Sequence, residues 1–307
     1  MFTVGVMRLG YVHARQTDLA AGVDYYSRTL GMHVSHTDED GKVYLKAWDE
    51  HDHHSIVLQE GGVGVVKLGF KCATADDIAT FESKIENFGC AVERMSAGDN
   101  HGVGDGIRVI LPSEHVVELY SEAEYVGNEL GLINPGVAPR NPVGASVPRL
   151  EHAVITTEDP ATVERFFAEC LSFGTSERLV DNLDDQNTLG AFMFCGNTPH
   201  DIAILPGPQG KLHHFAFHLE DWSAVLRAGQ VMSDDNVEID EGPKQHGITR
   251  GKTIYMFDPS GNRNEVFAGG YTTFPDFKTI TWTADQIDKA VFYVGNEMSQ
   301  RFLQAVT

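Results

Sequence analysis

Three residues in the second half of the chain, His152, His214 and Glu265, have the types and settings to hold a metal ion. Glu265 lies in "GKTIYMFDPSGNRNEVF" (251–267), where a Pro-Ser-Gly turn joins two strands and the returning strand carries the carboxylate among apolar neighbours. A carboxylate buried there is costly unless something positive meets it. A type I turn closed by a left-handed glycine pairs Asp258 with Asn262, Phe257 with Arg263 and Tyr255 with Glu265. No basic residue is then supplied locally, and a metal ion is the best remaining partner. Two imidazoles and one carboxylate form the facial triad that binds ferrous iron and leaves positions open for substrate and dioxygen. Zinc and manganese accept the same donors.

The two histidines come from the chain's own repetition, which must be found before any fold is assigned. "MRLGYVHARQTDLAAGVDYYSRTLG" (7–31) lies over "PRLEHAVITTEDPATVERFFAECLS" (148–172) at an offset of 141. "VKLGFKC" (66–72) lies over "GKLHHFA" (210–216), and "RVILPSEHVVELY" (108–120) over "YMFDPSGNRNEVF" (255–267). At three matched positions the first half has Tyr11, Phe70 and Glu118 and the second has His152, His214 and Glu265. A lone buried imidazole is ordinarily a hydrogen-bonded core residue; two of them converging with a carboxylate are not. Strand alternation alone fits His213 as well as His214. The repeat favours His214, opposite Phe70 rather than Gly69. In the first half the same register sets Arg108 against Glu118, an ordinary ion pair.

Each repeated segment reads as strand, polar turn, amphipathic helix and further strands, so each half contains two similar units. "GLINPGVAPRNPVGASVP" (131–148) has linker composition. The spacing of apolar residues 287, 291, 294, 298 and 302 predicts a C-terminal helix packed on the second domain. We therefore divide the chain into domains at 1–130 and 148–275, a linker at 131–147, and a tail at 276–307.

The 307 residues carry 23 Lys+Arg against 44 Asp+Glu, a formal charge of −21, which disfavours nucleic acid and anionic lipid. No run approaches the ~18 apolar residues of a membrane span. Arg8 interrupts what would be the core of a signal peptide, so a cytoplasmic location is expected. Cys72, Cys90, Cys170 and Cys195 are far apart with no C-x-x-C pair, which fits a reducing compartment and excludes a zinc ribbon. Two further stretches carry weaker signals. "DEHDHHS" (49–55), with His51, His53 and His54, reads as a solvated loop, and "GDNHGVGDG" (98–106) lacks the strand-to-helix setting of a phosphate loop.

"RLEHAVI", "KLHHFAFHLE", "QHGITRGKTIYMFDPSGNRNEVF" and the twofold repeat resemble the type I extradiol ring-cleaving dioxygenases of the vicinal oxygen chelate superfamily, most of all the catechol 2,3-dioxygenases. The resemblance covers essentially the whole chain. It implies an α+β fold of two tandem domains, each of two βαβββ modules, with the site in the second. It implies Fe(2+) ligands at His152, His214 and Glu265, Mn(2+) being the lesser choice, and catalytic roles for His200, His246 and Tyr255. Phe192, Ile248 and Phe302 match apolar positions around the family's substrate ring, though each also fits plain core. The implied reaction is meta cleavage of catechol or its alkyl and chloro derivatives by O2, giving 2-hydroxymuconic semialdehydes. A homotetramer is the implied assembly. A dihydroxybiphenyl or manganese enzyme of the same fold is the near alternative, and a non-catalytic binding protein of the same modules the distant one.

Overall fold

The computed structural model describes residues 5–295 and 297–307. Its first half runs β1 (Val6–Gln16), α1 (Leu19–Asp24), β2 (His33–Thr37), β3 (Val43–Lys46), β4 (Ile56–Glu60), β5 (Val65–Cys72), α2 (Ala75–Phe88), β6 (Val92–Met95), β7 (Gly106–Ile110) and β8 (Val116–Tyr120). The second half repeats that order in β9 (Arg149–Thr157), α3 (Pro160–Leu171), β10 (Gly174–Val180), β11 (Thr188–Phe194), β12 (Ile202–Pro206), β13 (Lys211–His218), α4 (Trp222–Asp234), β14 (Ile239–Gln245), β15 (Gly251–Phe257) and β16 (Arg263–Gly269). It then adds β17 (Ile280–Thr283), α5 (Ile287–Val291) and α6 (Gln300–Gln304). Each half is two βαβββ modules, and the fold is α+β.

The helix starts are written locally. Asp18, Thr74, Asp159 and Asp221 each accept a bond from a first-turn backbone N–H of their helix, and Thr74 with Asp77 completes a capping box. The modules of a half then share one sheet. The orders are β2-β3-β4-β1-β5-β8-β7-β6 and β14-β15-β16-β13-β9-β12-β11-β10-β17. The antiparallel pairs β1/β5 and β9/β13 sit at the joints between modules.

One apolar core runs through both halves. Phe88 packs edge-on against Phe166, and Phe70 against Phe167 and Phe173. Smaller clusters lie apart from it: Tyr11, Tyr44, Val57, Val103 and Tyr120 in the first half, and Tyr255, Phe292 and Phe302 in the second. These smaller clusters mark where each sheet leaves room for polar groups.

The turn register holds as expected. Asp258 N–H donates to the Asn262 carbonyl, Gly261 has φ +97°, and the pairs are Phe257 with Arg263 and Tyr255 with Glu265. Arg108 pairs with Glu118.

Two expectations need correction. Gly69 pairs with both Tyr11 and Glu118, while Ala216 pairs with both His152 and Glu265. That places β5 over β13 at an offset of 216 − 69 = 147, so the counterpart of His214 is Lys67, not Phe70. The earlier match rested on a coincidental Lys-Leu in each strand, and a β-bulge between Leu212 and His214 hides the register. The tail is also not one helix. It has two short pieces, α5 and α6, separated by a stretch in which Val294 bridges to Gln245 and Gly295 has φ +102°.

Candidate metal centre

Three neighbouring strands supply the three candidate ligands: β9 carries His152, β13 carries His214 and β16 carries Glu265. One ligand atom from each lies within 4.8 Å of the others. His152 Nε2 stands 3.0 Å and His214 Nε2 3.1 Å from the same Glu265 oxygen, Oε2. All three side chains are buried. The other carboxylate oxygen, Oε1, accepts from the Thr253 hydroxyl and lies 3.6 Å from His246 Nε2.

Glu265 and His214 are in the protonation states a metal requires. Burial would raise the Glu265 pKa, but the His152, His214 and His246 imidazoles around it hold it well below the usual carboxylate range. Burial, opposed by Glu265, lowers His214 to about 4, so its imidazole is neutral. This buried, ionised carboxylate is met by imidazoles and not by a fixed cation. Arg263, two residues along β16, is turned away to Asp240.

His213 settles which nitrogen of His214 is free. Its Nε2 is 3.0 Å from the Phe302 carbonyl, and its Nδ1 is 2.6 Å from His214 Nδ1. A carbonyl only accepts, so His213 carries its proton on Nε2 and its Nδ1 accepts from His214 Nδ1–H. His214 Nε2 is then left as a lone pair facing Glu265. Arg263 Nη1 also approaches His213 Nε2 at 3.1 Å, which would demand the opposite tautomer. That donor has a better acceptor in the Ala305 carbonyl at 2.8 Å. His213 thus supports the candidate ligand, and the bulge presents both residues on one side.

Around this point the other expected residues gather. The His200 ring is 3.9 Å from that of His152 and 5.3 Å from Phe192. Burial and the neighbouring His152 push its pKa well below normal, and its Nδ1 is buried without a hydrogen-bond partner. His246 Nδ1 donates to the Val291 carbonyl, so its Nε2 accepts from the Tyr255 hydroxyl at 2.9 Å. Burial and then Glu265 raise the Tyr255 pKa, keeping the phenol protonated.

These groups open onto a cavity of about 160 Å³, lined also by Phe192, Ile248 and Phe302. No lysine or arginine lines it among the described residues. Leu303 and Val306 from the tail close one side. Arg263 holds that tail through the Arg301 and Ala305 carbonyls, and Thr307 exchanges backbone hydrogen bonds with Leu212. Composition did not reveal Thr253, His213 or the Arg263 clamp. Only the pairing of Thr253 across from Phe267 and the adjacent His-His pair hinted at them.

The first half shows the same position without the imidazoles. Glu118 is fully buried and meets Lys67 Nζ at 2.9 Å, Arg108 Nη2 at 2.7 Å, Asn100 Nδ2 at 2.6 Å and the Tyr11 hydroxyl. Burial raises its pKa, but Lys67 and these hydrogen bonds bring it below the usual value. An ammonium therefore stands where His214 stands in the second half. His53 and His54, expected in a solvated loop, are instead buried, because their segment folds beneath Gly102 and beside Tyr11.

Comparison with known proteins agrees with this geometry. The Glyoxalase/Bleomycin resistance protein/Dioxygenase superfamily profile matches residues 149–266, and a catechol 2,3-dioxygenase-like N-terminal domain profile matches residues 67–124. The metapyrocatechase of Pseudomonas sp. (strain CF600) is 40% identical over 306 residues, covering 99% of both chains. The manganese-dependent 2,3-dihydroxybiphenyl 1,2-dioxygenase of Geobacillus genomosp. 3 is 26% identical, covering 96% of both. Among solved structures, the 2,3-dioxygenase LapB from Pseudomonas sp. KL28 superposes with a TM-score of 0.88 at 38% identity, covering 92% of this chain and 99% of that one. Homoprotocatechuate 2,3-dioxygenase from Arthrobacter globiformis gives 0.86 at 28% identity, covering 97% of this chain and 90% of its own. The chain belongs to the extradiol ring-cleaving 2,3-dioxygenases of the vicinal oxygen chelate superfamily.

Proposed function

We propose that this protein performs extradiol cleavage of catechol and of alkyl- or chlorocatechols by dioxygen at a ferrous ion held by His152, His214 and Glu265. The observation that carries this reading is the convergence of two imidazoles on a buried carboxylate that has no fixed cation. When bound there, the metal lowers the pKa of the substrate hydroxyls and passes electron density from ring to oxygen.

The surrounding residues bind the ring and move protons. Tyr255 already donates to His246 Nε2, so a substrate hydroxyl donating to the Tyr255 oxygen relays its proton onto that imidazole. His200, neutral and with an unpaired nitrogen, offers a hydrogen bond to negative charge developing on oxygen and a place for a returning proton. Both atoms of O2 enter the product: one expands the ring to a lactone and the other, as hydroxide, opens that lactone to the 2-hydroxymuconic semialdehyde. Phe192, Ile248 and Phe302 sandwich the ring. The cavity is smaller than the roughly 300–1,000 Å³ of drug-sized pockets, which supports a one-ring substrate over a biphenyl diol. Its lack of lysine and arginine supports an uncharged ring over a carboxylated one such as homoprotocatechuate.

We take the units as residues 1–130 and 148–275, joined by 131–147, with the tail at 276–307, and the assembly as a cytoplasmic homotetramer. No helix among the described residues is long and apolar enough to cross a membrane. Exposed Leu132, Ile133 and Val137 are apolar surface that further copies would cover. Light scattering would test the subunit number.

Protein loaded anaerobically with iron, or separately with manganese, is mixed with catechol and air. Oxygen uptake with a yellow ring-fission product is expected with iron. Absence of uptake with both metals would overturn the activity. Uptake with a colourless product would mean cleavage between the hydroxyls instead. Activity with manganese alone would reassign the metal.

A further inference from the structure

The first half brings together a second His-His-Glu group, far in sequence from the first: His53, His101 and Glu124, each offering a ligand atom within 4.8 Å of the others. Three separate segments carry these residues, and backbone bonds knit the segments together. Val103 bridges to Ala123 and Asp52 to Tyr125. Glu124 N–H donates to the Gly102 carbonyl at 2.8 Å, and the Val126 and Gly127 N–H groups donate to the His51 carbonyl. Each candidate ligand is thus next to a paired residue, so its backbone position is set by the fold.

The side chains are also prepared. His53 is buried beneath Gly102, where a Cβ would come within 2.6 Å of its Cγ. His53 Nδ1 lies 2.9 Å from His54 Nδ1, an imidazole-to-imidazole contact like the one between His213 and His214. The His101 ring is stacked on that of His36 at 3.7 Å and 5°, which fixes its plane. Glu124 is exposed.

We propose that His53, His101 and Glu124 form a second metal site, for zinc or a similar borderline divalent ion, which clamps three loops of the first half. Two imidazoles and a carboxylate suit zinc, with water as a fourth ligand. Ligands at about 2.0–2.2 Å from a tetrahedral ion sit about 3.3 Å apart, so closure needs a shift of an ångström or so, which the exposed Glu124 supplies. The proposal is independent of the chemistry at Glu265.

Iron-loaded protein is equilibrated with zinc(II), desalted and assayed for both metals by mass spectrometry, alongside oxygen uptake with catechol. The expected result is about one zinc per chain in addition to iron, with a higher melting temperature and unchanged uptake. His101→Ala and Glu124→Ala should each weaken zinc binding by more than the roughly 10–100-fold that loss of an outer-shell partner costs, while keeping iron and activity. His214→Ala should show the converse, losing iron and keeping the zinc. No zinc beyond that which displaces iron would overturn the site, and so would equal retention by wild type, His101→Ala and Glu124→Ala.

Discussion

Glu118 and Glu265 occupy one position of the repeat in two chemical settings, and the difference predicts opposite phenotypes. Glu118 neutralises Lys67 and Arg108 in a buried network. Glu118→Gln leaves those cations short of a partner and should cost about 3 kcal/mol, read by urea unfolding, with activity per folded molecule retained. Glu265→Gln should do the reverse: little change in metal-free stability, and loss of metal retention and ring cleavage. Similar stability losses in both variants would refute the distinction. A second contrast concerns the adjacent histidines. His214→Ala should abolish metal retention, whereas His213→Ala, which removes the acceptor orienting His214, should weaken it about 10–100-fold. Equal loss by equilibrium dialysis would mean that the ligand is misassigned. Sequence periodicity left His213 and His214 open because a bulge breaks the two-residue alternation at that point. The carboxylates and His152 were legible, since their registers follow from turn chemistry and an ungapped repeat.

Elements whose geometry is set by near neighbours were the readable ones. The β15–β16 turn depends on Pro259, Ser260 and Gly261, and its pairing follows. The tail was misread because residues 287, 291, 294, 298 and 302 mimic a helical stripe. Of these only Phe302 is buried, and distant partners hold its segment: His213 bonds the Phe302 carbonyl, and Arg263 forks onto Arg301 and Ala305. No local pattern encodes a clamp from β16. The clamp predicts that Arg263→Lys, which keeps charge but loses the fork, loosens the wall formed by Phe302, Leu303 and Val306. KM for catechol should rise about tenfold, the equivalent of ~1.4 kcal/mol, with iron content near normal. A fall in iron content matching the loss of activity would show that Arg263 acts on the metal instead.

At the scale of the molecule, duplication was legible because two copies keep the same order of elements, but the packing of one half on the other was not. Phe70 against Phe173, or His115 against Lys211, joins residues about a hundred positions apart, and nothing in their spacing announces it. Some histidines outside the candidate metal centre are also buried, His115 at this joint, and that gives the protein a pH-dependent stability. Burial lowers His13, His115 and His218 to about 4. Unfolded, each titrates near 6.5, so between those values the unfolded chain binds more protons and stability rises with pH. Their contribution is complete above about pH 6.5 and is lost as pH falls toward 4, on the order of 1–3 kcal/mol each. His115 bonds Ser113 Oγ on one side and the Lys211 carbonyl on the other, so it reports the joint between halves. Metal-free protein unfolded by urea at a series of pH values should weaken steadily from pH 6.5 to 4.5. His115→Gln should be less stable at pH 7.5 and show a slope reduced by up to one proton. An unchanged slope would mean that His115 is already protonated in the folded state and that the halves are held together without it.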